Sequence, residues 1–185
     1  MGAWKELDTT IEATFDFKDL DRIIGMSDPY GIYEPFKQIA RQIKKQFQKG
    51  AKKGVDEIAK RNISFQEKWI NKNCKNPSGM LASSIGKTGS DYSITTGTRI
   101  NDVYPMSIEY GHKEIYPVRA KALAFYDDEG ELIFRKKVRA TKPRPFVKPA
   151  YDDTDKIAEK IMMLEIAHAG TDYDSIGGAF LDVSK

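Results

Sequence analysis

The sequence predicts an α+β domain: a long N-terminal helix, or two in tandem, and a shorter C-terminal helix packed on a small, mainly antiparallel sheet containing a β-hairpin. Three patterns carry this expectation. Phe36, Ile39, Ala40, Ile43, Phe47, Ala51, Val55, Ile58 and Ala59 recur every three or four positions, which places them on one helical stripe. Ile11, Ala13, Phe15 and Phe17 alternate with Glu12, Thr14 and Asp16, the period of a half-buried strand. Near the C-terminus Ile157, Ala158, Ile161, Met162 and Leu164 return to helical spacing. With 185 residues, 40% hydrophobic and 31% charged, the chain can bury one core.

The strand at 10–17 leads into a short helix over 19–25, and Met26-Ser27-Asp28-Pro29-Tyr30-Gly31 reads as a loop. Pro35 suits a helix start. A helix from there to about Lys72 would run about 57 Å at 1.5 Å per residue. Gly50 and Gly54 each cost about 1 kcal/mol relative to alanine, and Asn62-Ile63-Ser64 offers a break, so one helix and two both fit. Cys74 to Gly79 forms a stop and turn, Met80 to Ile85 one or two helical turns, and Gly86, Gly89 and Ser90 a loop. Tyr92, Ile94 and Thr96 alternate as a strand, whereas 102–110 fits strand or short helix. Segments 122–126 and 131–138 flank Asp127-Asp128-Glu129-Gly130 and form the hairpin, in which Leu123 and Phe125 face one way, as do Leu132 and Phe134.

Lys142-Pro143-Arg144-Pro145-Phe146-Val147-Lys148-Pro149-Ala150 has three prolines, each fixing φ and removing a donor. It is expected to be a stiff extended connector that presents Lys142, Arg144 and Lys148 to water and seats Phe146 in a pocket, stapling the hairpin region to the next helix. That helix is expected over 151–167, with Asp152, Asp153 and Asp155 in its first turn. The chain divides into an N-terminal strand and extension (1–33), a main domain (34–168) and an arm (169–185) with isolated Tyr173, Ile176, Phe180 and Leu181. No internal repeat is visible.

Thirty basic residues against 27 acidic give a net charge of +3, so overall charge does not itself predict a nucleic-acid partner. The lone Cys74 excludes an intramolecular disulfide and any Cys-x-x-Cys pair, which fits a reducing compartment. The N-terminus lacks the basic and apolar regions of a signal peptide, no run of 18 apolar residues occurs, and Glu6 breaks the myristoylation pattern after Gly2. A soluble protein made in the cytoplasm, with no membrane partner, is expected.

Little catalytic chemistry is legible. Gly86-Lys87-Thr88 ends like a phosphate-binding loop, but Leu81 stands where the first glycine belongs. Glu109, His112 and Glu114 are acid-base groups without a nearby nucleophile, and two histidines support no hydrolytic metal cluster. We expect no enzyme, cofactor or metal. Tyr110-Gly111 reads as a tight turn whose aromatic packs and whose glycine permits positive φ, and Gly79 as another structural turn. Two basic tracts stand out: Lys44, Lys45, Lys49, Lys52 and Lys53 within 41–61, and Arg135, Lys136, Lys137 and Arg139 within 135–148. Either is a solvated face or the lining of a channel that touches DNA phosphates without reading bases.

Four fragments in order resemble the tail-completion, or minor tail-component, proteins of the head-tail connector in long-tailed bacteriophages. They are Ser78-Gly79-Met80-Leu81-Ala82-Ser83-Ser84-Ile85, Ile108-Glu109-Tyr110-Gly111, Ala122-Leu123-Ala124-Phe125, and Pro145-Phe146-Val147-Lys148-Pro149-Ala150, following a long basic helix. The likeness covers about 35–167; His112 departs from the family's threonine. The resemblance implies a structural virion protein of the neck, without a catalytic site. It would form a ring of six or twelve copies between the head-closure protein and the tail terminator or tube, with a pore for passing genomic DNA. Such a ring needs two unlike, complementary patches on every subunit. Leu123, Phe125 and Phe134 of the hairpin and Arg144, Pro145, Phe146 and Pro149 of the proline segment are the expected interface residues. A sequence-independent nucleic-acid-binding protein is the alternative.

Overall fold

A computed structural model describes residues 7–74, 79–100, 103–126 and 130–171. The α+β expectation holds. The elements are β1 (Thr9–Glu12), α1 (Lys18–Ile24), α2 (Glu34–Asn73), α3 (Met80–Ser83), β2 (Ile85–Ser90), β3 (Ser93–Thr98), α4 (Val103–Tyr110), β4 (Leu123–Tyr126), β5 (Leu132–Arg135) and α5 (Val147–Thr171). β1, β3 and β2 form an antiparallel sheet in that order, while β4 and β5 pair only with each other. The hairpin within the main sheet is therefore β2–β3, and the one read at 122–138 is a separate ribbon. The arm beyond Thr171 and most of the tetrapeptide turn lie outside the described residues.

α2 is one unbroken helix of 40 residues, about 60 Å long. Its three suspected break points are its main contacts. A Cβ on Gly50 would lie 2.6 Å from the Ile166 Cα, and one on Gly54 2.7 Å from the Met162 Sδ, so both glycines let α5 approach closely. Asn62, instead of ending the helix, is buried and joins three elements. Its Nδ2 donates to Thr154 Oγ1 of α5 at 2.9 Å, and its Oδ1 accepts from Gln66 Nε2 at 2.7 Å and Thr96 Oγ1 of β3 at 2.7 Å. Satisfied in this way, the amide fixes the register of α2 against α5 and the sheet.

The glycine contacts make a discriminating prediction. Gly50→Ala should destabilise the protein by about 1–2 kcal/mol, because the obstructing atoms are backbone and outweigh a helix-propensity gain of about 1 kcal/mol. Gly54→Ala meets only the flexible Met162 and should be near neutral. Urea midpoints of the two variants would check the difference.

Two apolar clusters meet along α2. Val55, Ala59 and Ile94 form one, flanked by Ile11, Ala13 and Met162. The other gathers Leu7, Ile70, Cys74, Leu81, Ile85, Ile108, Phe146 and Val147 around the C-terminal end of α2. Phe15, Phe17, Phe47 and Tyr92 add an edge-packed aromatic group. Leu7 and β1 thus tie the segment expected as an extension into the same body.

Several expectations need correction. Gly86, Gly89 and Ser90 are strand, not loop: β2 pairs with β3 from Ile85↔Thr98 to Ser90↔Ser93. Glycine hides the strand signal for steric reasons, since a Cβ on Gly86 would strike the Arg99 guanidinium and one on Gly89, at φ +129°, the Ser93 carbonyl. The undecided segment at 102–110 is helix α4 from Val103. The proline segment is extended only as far as Pro145, for α5 begins at Val147 and Pro149 sits in its first turn, where a missing N–H costs nothing. Consequently Asp152, Asp153 and Asp155 fall one turn later than expected.

Candidate functional site

α5 begins without a local capping side chain, since Pro145 and Phe146 offer no acceptor. The cap comes from α4 instead. The buried Glu109 carboxylate accepts from the Phe146 N–H at 2.7 Å and the Val147 N–H at 3.0 Å through Oε2, and from the Lys148 N–H at 3.2 Å through Oε1. Proline at 149 has no donor, so every early N–H of this helix is accounted for. A negative charge against a helix N-terminus is also favoured by the helix dipole. The Arg144 N–H donates to Ile108 O at 2.7 Å, completing a junction between Ile108-Glu109-Tyr110-Gly111 and 144–148. Gly111 has φ +68°, and a Cβ there would lie 2.5 Å from the Thr141 carbonyl, so the turn requires glycine. Gly79, at φ +67°, opens α3 so that Leu81 and Ile85 enter the core, while Ser84 Oγ lies 2.8 Å from Thr98 Oγ1. Tyr110 does not pack inside; it is 52% exposed.

From this junction a two-stranded ribbon extends. Its root is marked by the antiparallel bridges His112↔Thr141 and Ile115↔Val138, and its far part by β4–β5 with Leu123↔Arg135 and Tyr126↔Leu132. Glu114 braces the root, accepting from Lys137 Nζ at 2.7 Å and from Tyr116 Oη at 2.6 Å. The Lys137 and Tyr116 bonds hold the Glu114 carboxyl below its usual range, and the same contact raises Lys137. In the β4–β5 register Ala124, Tyr126, Leu132 and Phe134 share one face. Tyr126 and Phe134 are 73% and 64% exposed.

The expected interface residues therefore divide. Phe134 is on the open face, and half-buried Leu123 is on the other. Phe125 pairs with Ile133 through its backbone, and its side chain lies outside the described residues. Arg144 and Pro145 are exposed and Pro149 is half-buried. Phe146 is 0% exposed, seated with Ile70, Leu81 and Ile108 inside its own subunit, and must be withdrawn from any surface. Its pocket is intramolecular.

The basic tracts are likewise sorted. Lys44 reaches Asp21 at 2.5 Å and stands over the Phe17 ring, and Lys52 reaches Asp91 at 2.5 Å. Asp56 holds Lys60 at 2.9 Å and also Lys87, which gives the lysine of the glycine-rich strand a structural partner. Lys49, Lys52 and Lys53 share a shallow groove with Glu57 and Glu165, and Lys45 is exposed. On the ribbon, Lys137 is paired, while Arg135, Lys136 and Arg139 have no ion-pair partner among the described residues. The α2 tract and the ribbon tract sit on separate elements.

Bonds from Lys87 and Lys60 hold the Asp56 carboxyl below its usual range, and Lys156 and Trp69 do the same for Asp153. A depressed carboxylate contributes stability that is fully present above its unfolded pKa of about 3.9 and is lost as pH falls through the lower folded value. Melting temperature should therefore drop below about pH 4, and Asp56→Asn should be less stable than wild type at pH 7 but converge on it in acid. Thermal melts from pH 7 to 3 would check this.

The third feature is an apolar groove at the other end of the molecule. Leu20, Ile23 and Met26 from α1 and its exit face Tyr33, Phe36, Ile39, Ala40 and Ile43 of α2. Asp28 shapes its rim by accepting from the Ile32 and Tyr33 N–H groups at 2.8 and 2.7 Å. Phe36 remains 62% exposed on this stripe. The sequence displayed the stripe but not that Phe36 and Ile43 stay exposed on it while Ala40 is buried.

An open cleft of ≈ 510 Å³ lies beside the junction, lined by Asp8, Thr9, Glu109 and Tyr151 among others. Burial pushes the Asp8 carboxyl up, but the Glu109 carboxylate is already engaged by three amides. Among the described residues no group of His, Cys, Asp and Glu is arranged to hold a metal ion, and no helix is long and apolar enough to cross a membrane. Compared with known proteins, the chain matches no family model, no curated protein and no solved structure.

Proposed function

We propose that this chain is a structural protein of a phage-type neck, a ring-forming subunit that joins a head-closure complex to a tail tube around a DNA passage. The observation that carries the reading is the ribbon: a two-stranded projection with Tyr126, Leu132 and Phe134 exposed on one face. A monomer gains nothing from an apolar finger in water, whereas a subunit in an assembly buries it. Further support comes from the fragments that resemble connector proteins. Leu81, Ile85, Ile108, Phe146 and Val147 share one cluster, and Glu109 caps the Pro-Phe helix start, so three of the four fragments are parts of one junction. On this reading the protein acts in the virion, is made in the host cytoplasm, and touches DNA only through charge.

Solution mass and electron microscopy of the purified chain test the proposal. Closed annular particles without nucleic acid are expected. A monomer that binds duplex DNA instead would favour the nucleic-acid reading. Three ribbon contacts, from Arg135, Lys136 and Arg139, would then give a slope of about -2.7 in log K against log salt.

A further inference from the structure

We infer that residues 172–185 of the chain close its own α1–α2 groove, laying Tyr173, Ile176, Phe180 and Val183 against Ile43, Ala40, Phe36 and Tyr33. The inference is independent of the ring reading and rests on register. α5 runs antiparallel to α2: Asn62 meets Thr154, Gly54 meets Met162, and Gly50 meets Ile166 and Ala169. Each step back along α2 is thus matched by an equal step forward along α5. The same offset, continued past Thr171, sets residue 173 opposite 43, 176 opposite 40, 180 opposite 36 and 183 opposite 33. Every one of these positions is apolar or aromatic, and both sets are spaced by three, four and three. On α2 the four line the groove, and Tyr33, Phe36 and Ile43 are exposed. Tyr173, Ile176, Phe180 and Val183 keep the helical phase of Ile166 and Ala169, which α5 turns toward Gly50.

Length and direction agree. From Gly50 back to Tyr33, and from Ile166 on to Val183, the helical rise is the same, about 26 Å. Gly177 and Gly178 disfavour helix in isolation, so the segment gains helical form only by packing. Gln46 Oε1, one turn before Gly50 on the ridge that α5 follows, is buried without a hydrogen-bond partner among the described residues. Chain continuing along that ridge brings donors to it. The groove's walls mix both signs, Asp19 and Arg22 on α1 and Glu34 and Lys37 on α2, so charge does not choose the occupant. Tethering does. A segment held by the end of α5 has a local concentration of about 1 mM, far above that of any surface on a second copy at micromolar protein.

Cross-linking in the full chain is decisive. In a Cys74→Ala background, Ile43→Cys with Tyr173→Cys should close an intramolecular disulfide under mild oxidation. It should form about tenfold faster than with Lys45→Cys and Tyr173→Cys, because position 45 lies on the opposite face of α2. Equal rates for the two pairs would mean that the segment is not docked, and disulfide-linked dimers that a second copy fills the groove; either overturns the inference. Stability gives a second reading. Phe36→Asp and Phe180→Asp should each lower the melting temperature by about 5 °C, and together by no more than one alone. If Phe36→Asp leaves the melting temperature unchanged, or if the two losses add, the inference fails, whereas ring formation by the wild type would still support the neck reading.

Discussion

Glu109→Ala should destabilise the protein by about 3–5 kcal/mol. Three buried or half-buried N–H groups lose a charged acceptor at once, each bond to a charged group being worth about 1.5–3 kcal/mol, with partial recovery through water reaching the Lys148 amide. For a chain of this length that corresponds to a fall in melting temperature of roughly 10 °C or more. Glu109→Gln keeps the shape and one acceptor oxygen but no charge, and should lie between alanine and wild type. Thermal unfolding of the three proteins would test the order. If glutamine matched wild type, charge against the α5 N-terminus would contribute little. If alanine did, the cap would be dispensable. Because the cap fixes where α5 starts, its loss should also raise amide exchange first at 146–150.

Phe146→Ala should cost about 3–5 kcal/mol, the usual range for emptying a buried aromatic site. The ring is completely enclosed by α2, α3 and α4 side chains, and little around it can relax inward without moving the junction. The consequence for assembly is specific. Were this residue an interface anchor, its loss would dissolve rings and spare the subunit. From its position, denaturation should shift in the isolated subunit, and any loss of rings should follow from unfolding. Chemical denaturation of Phe146→Ala at concentrations too dilute for assembly separates the two. The double variant Glu109→Ala with Phe146→Ala should cost less than the sum, since side chain and amide of one residue belong to one junction.

Helix periods and the hairpin were legible because each obeys a single local rule, whereas the first strand, expected over 10–17, spans only Thr9–Glu12, since its pairing with β3 ends at Glu12↔Ser93. α2 was read correctly in phase, and the structure decides between the one helix and the two that the sequence left open. Failures fell where a distant partner decides the local conformation. Gly86 and Gly89 look like loop residues until Arg99 and Ser93 occupy the space a side chain would need. Asn62 looks like a helix breaker until Thr96 and Thr154 claim its amide. Proline at 149 argues against helix only in a helix interior, and the missing cap at 145–146 was itself the signal that an acceptor must arrive from elsewhere. Glu109, flagged as an acid-base group, was that acceptor. That Phe146 needs a pocket was legible from sequence, but that this pocket lies inside its own subunit, the pairing of Lys44 and Lys52, and the α1–α2 groove required tertiary structure.

The continuity of α2 bears on how the molecule could be re-engineered. With about 100° of rotation per residue, one residue inserted between Ile43 and Phe47 would swing the helix turns N-terminal to it around the axis by more than a quarter turn and push them about 1.5 Å outward, while β1 and Leu7 stay anchored on β3 and the core. Seven inserted residues would nearly restore the azimuth, leaving a lag of about 20° and a rod longer by about 10 Å. The spacing and bearing of the molecule's two ends are therefore set by counting residues along a single axle.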